Sequence, residues 1–136
     1  MRMCQIFKTN SDYIVVSIHK SDIGLRFNSE TKIKIASTAD AKVFSEAMEK
    51  VLADSKTGVP MPSDPKVITH ELITFSGFKK WADFAKASQL VSVDDHGNEC
   101  KVTRFKLGEK SAFFPDGPVL TCSRDQLVSV VLSAFE

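Results

Sequence analysis

The spacing of apolar residues along the chain changes from segment to segment and predicts a mixture of strands and helices. Between Tyr13 and His19 nearly every residue is apolar, which is typical of a central strand buried on both faces. In residues 31–36 two isoleucines alternate with two lysines, which predicts a strand near a sheet edge with one solvated face. Further strands are predicted at residues 90–93, 99–107 and 119–122.

Apolar residues three and four positions apart predict four amphipathic helices. The first follows Ser37 and Asp40, which have the spacing of a capping box, and Gly58 is expected to end this helical region. The apolar stripe of this helix consists of Val43, Phe44, Ala47, Met48, Val51 and Leu52.

The other three helices also have start or stop signals. Asp64 and Pro65 are a suitable N-cap and first helical residue for the second helix, which Ser76 and Gly77 break or bend. An aromatic-rich stripe from Phe78 predicts a third helix that reaches about residue 87. A second capping box at residues 123–126 precedes the last helix.

Polar clusters between these elements predict turns. Residues 94–98 have the composition and length of a hairpin loop, so the strands on either side of them are expected to pair. A tight turn is predicted at residues 115–118, where two prolines flank Asp-Gly.

The elements together predict one layered domain over residues 1–136, of the α/β or α+β class. We expect a central mixed or antiparallel sheet of about five to six strands, packed by about four helices. Residues 27–52 and 114–135 share the order aromatic residue, short strand, capping box and helix. A two-fold strand-helix pseudo-repeat and a chance similarity explain this echo equally well.

Charge and composition narrow the class of partner. The 136 residues include 18 Lys and Arg against 17 Asp and Glu, and this balance disfavours general attraction to nucleic acid or to an anionic membrane. Three cysteines, far apart in the chain, fit reduced thiols, and Cys100 and Cys122, which lie in strand-like stretches, are expected to be buried. No signal peptide or membrane-spanning run is visible, so a cytoplasmic protein is expected.

A search for reactive groups predicts no catalytic residue, no metal site and no cofactor site. His19, His70 and His96 lack ligand partners at helical spacing, and neither a nucleophile elbow nor a phosphate-binding glycine loop is present. The weakest functional alternative is a metal-dependent hydrolase that uses Asp94, Asp95 and His96.

Two exposed polar segments are candidate binding surfaces. A polar loop follows the buried strand at His19, and loops on a rigid sheet often carry binding residues. The acidic turn near Asp94 either mimics phosphates for a basic partner or is ordinary hairpin chemistry. The predicted partner-binding residues are His19, Lys20, Ser21, Asp22, Arg26, Asp94, Asp95, His96 and Glu99.

A basic strand offers a different function. Lys101, Arg104 and Lys106 surround Phe105, which is a pattern found in strands that stack and bind nucleic acid. The simpler interpretation is a half-exposed strand with lysines along its edge, which the net charge of +1 favours. A nucleic-acid-binding module that uses residues 101–110 is the alternative function.

The stretch Tyr13-Ile14-Val15-Val16-Ser17-Ile18-His19-Lys20-Ser21, followed by Gly24 and Phe27, resembles contact-dependent growth inhibition (CDI) immunity proteins of the CdiI family. The resemblance continues through residues 53–60, the connector at 62–64, the Trp81 helix, residues 90–93 and the closing helix. It covers most of the chain and rests on small motifs without a catalytic signature.

The resemblance implies a bacterial protein that binds the C-terminal toxin domain of its cognate CdiA effector. Such toxins are commonly nucleases, often with transfer RNA as substrate, and inhibition would occlude the active site or substrate surface. No enzymatic activity, no direct nucleic-acid contact and no membrane association are expected, and a monomer is favoured. Ile14, Val16, Ile18 and Phe27 are expected in the core, whereas Lys20, Asp22 and Arg26 would meet the partner.

Overall fold

The computed structural model describes residues 1–136, and the chain folds into eight strands and four α-helices. The strands are β1 (Arg2–Lys8), β2 (Asp12–Ser21), β3 (Arg26–Ala36), β4 (Thr57–Val59), β5 (Gln89–Asp95), β6 (Cys100–Leu107), β7 (Phe113–Pro115) and β8 (Leu120–Cys122). The helices are α1 (Ala41–Asp54), α2 (Pro65–Ser76), α3 (Trp81–Ala87) and α4 (Leu127–Ala134). This architecture confirms the predicted α+β class with four helices.

All strands join one open sheet with the order β3-β2-β1-β5-β6-β7. Each pairing along this path is antiparallel, while β4 pairs in parallel with the end of β2 and β8 pairs with β6. The path has six strands, where about five to six were expected, and β4 and β8 raise the total to eight. One half of the sheet, β3-β2-β1, precedes α1 in the chain, and the other half, β5-β6-β7 with β8, precedes α4. The two halves meet at the β1–β5 pairing.

The sheet separates two hydrophobic cores. Helices α1 and α4 cover one face, where Phe44 and Val51 pack against Tyr13 and Val15. Helices α2 and α3 cover part of the other face, where Leu72 and Phe84 pack against Ile14, Val16 and Ile18. Burial of large side chains on both faces explains why β2 is apolar along nearly its whole length. We call these the α1/α4 face and the α2/α3 face.

The start and end of α1 differ from the prediction. Asp40 alone caps the helix by accepting a hydrogen bond from the Val43 amide at 3.0 Å, whereas the Ser37 hydroxyl donates to the Asn10 carbonyl. The prediction of a capping box at residues 37–40 was therefore wrong. The helix ends at Asp54, and Gly58 lies inside β4 instead of ending the helix. Val43 is 41% exposed and does not belong to the buried stripe.

The remaining helix signals agree better with the structure. The Asp64 carboxylate accepts from the Lys66 amide, and Gly77 ends α2 in the left-handed region with φ of 87°. Helix α3 begins at Trp81 and not at Phe78. The second capping box is confirmed, since the Ser123 amide donates to the Gln126 side chain at 3.1 Å.

The predicted hairpin is confirmed as β5 and β6, but its loop is shorter than expected. Asp94 pairs with Lys101 and Asp95 pairs with Cys100, so both aspartates belong to β5. None of the four helices has both the length and the apolar composition that a membrane span requires.

The cysteines are free, and all three are buried, as predicted for Cys100 and Cys122. Cys100 and Cys122 are directly opposite each other in β6 and β8, and Cys4 lies in β1 on the same face. Burial raises the pKa of all three thiols, to about 11 for Cys100, whose neighbour Asp95 raises it further. The thiols are therefore protonated at neutral pH and pack as small apolar groups.

Candidate functional site

The register of the sheet places the nine predicted binding residues at different sites. Side chains alternate between the two faces of a strand, so Lys20 lies on the α2/α3 face with Ile18, whereas His19 has the opposite orientation. In β5, Asp94 likewise lies on the α2/α3 face, and Asp95 lies on the α1/α4 face with Val93. The predicted acidic pair is thus split between the two sides of the sheet.

Arg26 and Asp94 form an ion pair across the part of the α2/α3 face that those helices leave open. The guanidinium donates two hydrogen bonds to the carboxylate, of 3.0 and 3.2 Å. The two side chains are 48% and 22% exposed. A pair this exposed contributes at most about 1 kcal/mol to stability, but its two-bond geometry fixes both charged groups in position.

Asp95 has a structural role at the other face. One carboxylate oxygen accepts from the Gly97 amide at 2.9 Å and contacts the Cys100 thiol at 3.7 Å, and the other pairs with Arg124. Arg124 also contacts Glu49 of α1 at 2.9 Å. Asp95 is only 8% exposed. Through its contacts with Gly97 and Arg124 it joins the β5–β6 turn to the segment that precedes α4.

His96 and Glu99 are exposed in the four-residue loop between β5 and β6. The His96 amide donates to the Glu99 carbonyl at 2.9 Å and closes this loop. Because Asp94 and Asp95 have opposite orientations, they do not converge with His96 on one point, which removes the geometric basis of the hydrolase alternative. No cluster of three or more His, Cys, Asp and Glu side chains is arranged to hold a metal ion.

The loop between β2 and β3, residues 22–25, is held by hydrogen bonds at both ends. The Ser21 amide donates to the Leu25 carbonyl at 2.7 Å, and the buried Ser21 hydroxyl accepts from the Leu25 amide at 3.0 Å. Gly24 has φ of 85°, a left-handed conformation that suits glycine. The Asp22 amide donates to Val59 of β4 at 2.9 Å. We call residues 22–25 the β2–β3 loop.

A cleft of about 590 Å³ lies beside this loop, between the end of α1 and the start of α2. Its floor is β3, which is bulged where the pairing with β2 shifts register between Val16 and Ile18. The charged side chains of its lining are Glu30, Asp54, Lys56, Asp64 and Glu71. Four carboxylates against one lysine make this β3 cleft acidic.

His19 and Phe27 form the border between the loop and the cleft. Their rings meet edge to face, with centroids 5.6 Å apart, and both residues line the cleft. Phe27 is only partly buried, so the expectation that it belongs to the core was wrong. The His19 Nδ1 atom accepts a hydrogen bond of 3.0 Å from the Lys56 amide. Burial lowers the pKa of His19; Asp54 opposes this effect and Lys56 adds to it.

Sequence reasoning located the loop but missed the cleft. The lining comes from β2, β3, the end of α1 and the start of α2, and these segments meet only after the chain folds. The end of α1 is joined to β3 by the Asp54 carboxylate, which accepts hydrogen bonds from the Ser29 and Thr31 hydroxyls. Nothing in the residue pattern of either segment specifies that pairing.

The basic strand does not form a single positive surface. Arg104 and Lys106 lie on the same side of β6 as the core residue Val102, and Lys101 lies on the opposite side. Phe105 packs against the core of the α2/α3 face, so its ring is not free to stack on a base. The structure therefore gives no support to the nucleic-acid alternative.

Comparison with known proteins finds similarity in fold without similarity in sequence. No protein-family model matches the chain, and none of the curated proteins compared with it is significantly similar. A protein of unknown function from Neisseria meningitidis shares the fold with a TM-score of 0.77 and 13% sequence identity, over 98% of this chain and 92% of that one.

A second solved structure is a chain of the CdiA-CT/CdiI toxin and immunity complex from Yersinia pseudotuberculosis. It superposes with a TM-score of 0.79 and 8% identity, over 98% of this chain and 95% of that chain. Both superpositions cover nearly the whole of each chain, so the fold is shared over nearly its full length.

Proposed function

We propose that this protein is an immunity protein that binds a toxin domain and neutralises it. The observation that carries the proposal is the similarity of the whole fold to a chain of a toxin and immunity complex. The motifs that begin at Tyr13 resemble the immunity half of such pairs, and they are independent of the superposition. The two comparisons therefore support the same class of protein.

The proposed partner is the C-terminal toxin domain of the cognate CdiA effector, and the proposed toxin activity is that of a nuclease, with transfer RNA as a substrate. Nucleases carry basic surfaces because they bind a polyanion. The carboxylates of the β3 cleft complement such a surface. The protein would act in the cytoplasm as a single-domain monomer, and occlusion of the toxin requires no catalytic group of its own.

The proposed contact residues are the exposed members of the predicted set, Asp22, Arg26, His96 and Glu99, together with the half-buried Lys20 and Asp94. His19 joins them at the border of the β3 cleft. Ser21 and Asp95 are buried and hold the β2–β3 loop and the β5–β6 turn in shape, so they act through their neighbours.

Co-expression tests the proposal directly. The C-terminal domain of the protein encoded directly upstream of this gene is taken as the candidate toxin domain. It is induced in cells with and without this protein, and growth is followed. We expect growth arrest without the protein, normal growth with it, and a stable complex of the two purified proteins. A toxin domain from an unrelated effector serves as the control for specificity. Failure to protect, together with failure to form a complex, would contradict the immunity function.

Expression of this protein alone distinguishes an immunity protein from a toxin. An immunity protein leaves growth unchanged, because it blocks a toxin and has no target in the cell. Growth arrest by this chain itself would assign it to the toxin half instead.

A further inference from the structure

The β2–β3 loop exposes two large apolar side chains, which are separated in sequence by Gly24 alone. Ile23 is 71% exposed and Leu25 is 53% exposed, which makes them the two most exposed large hydrophobic residues of the protein. Single exposed apolar residues are common, but two in a four-residue loop form a local apolar surface that folding leaves in water. Neither residue belongs to a hydrophobic core.

The backbone of this loop is ordered before any partner arrives. Four hydrogen bonds hold it: between Ser21 and Leu25 in both directions, from Gly24 to Ser21, and from Asp22 to Val59. A rigid loop loses little conformational entropy when it docks, so the burial of its side chains is converted efficiently into affinity. A loop that only connected two strands would not need to present aliphatic side chains in this way.

The charges near the loop indicate the partner's chemistry. Asp22 is exposed and has no ion-pair partner, whereas the nearby Arg26 is paired with Asp94. The β3 cleft beside the loop is acidic. Lys20, at the base of the loop, and Lys56, in the cleft, form no ion pair either, but Asp22 and the four cleft carboxylates outnumber them. The net charge of these groups is therefore negative, and a complementary protein surface carries lysine or arginine around an apolar depression.

We propose that the β2–β3 loop is the apolar anchor of the interface with the toxin domain. Ile23 and Leu25 enter an apolar pocket of that protein, and Asp22 contacts a lysine or arginine at the rim of the pocket. The inference rests on the proposed immunity function and adds the residues that supply the binding energy. A few side chains that fill well-packed, desolvated pockets near the centre of an interface carry most of the binding energy, and this is the role proposed for Ile23 and Leu25.

The test compares loop variants with a matched variant elsewhere. Ile23→Ala and Leu25→Ala are each expected to weaken binding to the upstream-encoded toxin domain by about 10- to 100-fold. Val119→Ala removes an apolar side chain of similar exposure, 52%, at a different site and is expected to change affinity by less than about 2-fold. Urea unfolding of each variant shows whether the folded state is intact, which we expect because both loop side chains are exposed.

Asp22→Lys tests the charge of the rim. The lysine would repel a basic partner, so the variant is expected to associate more slowly with the toxin domain. Salt weakens the attraction that Asp22 exerts in the wild type, whereas it weakens the repulsion exerted by Lys in the variant. The contribution of this position to the salt dependence of the association rate should therefore change sign. Asp22→Asn should lie between this variant and the wild type.

The outcomes separate the inference from the immunity function. If the wild type binds the toxin domain and all loop variants bind equally well, the anchor is wrong and the immunity function stands. If the wild type forms no complex with the toxin domain, both the anchor and the immunity function are wrong. Sedimentation of the wild type and of Ile23→Asp tests a second copy as the occupant: a dimer lost only in the variant would overturn the inference in favour of self-association.

Discussion

At the scale of single residues, the two arginine–aspartate pairs have the same chemistry in different surroundings. Arg26 and Asp94 lie in the open, while Arg124 pairs with Asp95, whose side chain is almost fully buried. Water already stabilises exposed charges, so the exposed pair adds little to the free energy of unfolding. A buried carboxylate that loses its counter-charge has no such compensation.

Substitution of each arginine should reveal this difference. Arg124→Ala is expected to lower the free energy of unfolding by about 1–3 kcal/mol, because Asp95 is left buried without its cation. Arg26→Ala is expected to lower it by less than about 1 kcal/mol. Equilibrium unfolding in urea measures both values, and equal losses would show that burial does not distinguish the pairs.

His19 is expected to make stability depend on pH. Burial lowers the pKa of His19 in the folded protein below the usual 6.5 that it has in the unfolded chain. At pH values between the folded-state pKa and the unfolded-state pKa, the unfolded chain therefore binds more protons than the folded protein. The contribution of this group is therefore complete above pH 6.5 and is lost as pH falls through that interval. Protonation also removes the Nδ1 acceptor used by the Lys56 amide.

The variant His19→Asn keeps a hydrogen-bond acceptor near the position of Nδ1 but does not titrate. Acidification from about pH 7.5 to about pH 5.5 should destabilise the wild type more than this variant. Thermal melts of the two proteins across that range check the prediction, and parallel curves would assign the pH dependence to other groups.

At the scale of elements, prediction from sequence succeeded where the spacing of apolar residues within a segment shows which of its faces are buried. β2 and α1 show the period of their structure because one or both faces are apolar. β1 was missed because Arg2, Gln5 and Lys8 interrupt its apolar residues, although strands on both sides place it in the middle of the sheet. Its burial comes from partners that are distant in sequence.

The predicted β5–β6 loop was too long, again because partners that are distant in sequence decide the structure. Asp94 and Asp95 precede His96-Gly97-Asn98 and have the composition of a loop, but pairing with β1 and β6 keeps them in β5. Of the nine predicted binding residues, the neighbours in β2 and in β5 lie on different faces because successive side chains of a strand alternate between its two faces. The β3 cleft depends on contacts between distant segments, which no local pattern records.

The end of α2 allows a test of a correctly predicted element boundary. Gly77 adopts φ of 87° with open space around its Cα, so an added side chain meets no atom and only backbone strain is introduced. Gly77→Ala is expected to lower the free energy of unfolding by about 1 kcal/mol, and Gly77→Asn by less, because asparagine tolerates this conformation better. Urea unfolding measures both, and equal effects would show that strain is not the cause.

At the scale of the whole molecule, the β1–β5 pair is the centre of the structure. Both strands have neighbours on each side and cores on both faces. Helix α3 has seven residues, and the segment from Gly108 to Val119 is mostly exposed. Stability is therefore expected to decrease from the middle of the sheet towards the β7 edge.

Hydrogen exchange measured by mass spectrometry should follow this order. Amides of β1 and β5 are expected to exchange last, at a rate set by global unfolding, and those of α3 and of residues 108–119 first. Protection of α3 equal to that of β1 would instead show that the molecule opens only as one unit.

The way in which the β2–β3 loop is held also affects how this protein can evolve. Its shape depends on main-chain hydrogen bonds, on the Ser21 hydroxyl and on the conformation of Gly24. The side chains at positions 22, 23 and 25 are exposed and take no part in these bonds. Mutation can therefore change the chemistry that the loop displays while its shape is kept, so a new binding specificity can arise in few steps without loss of the fold.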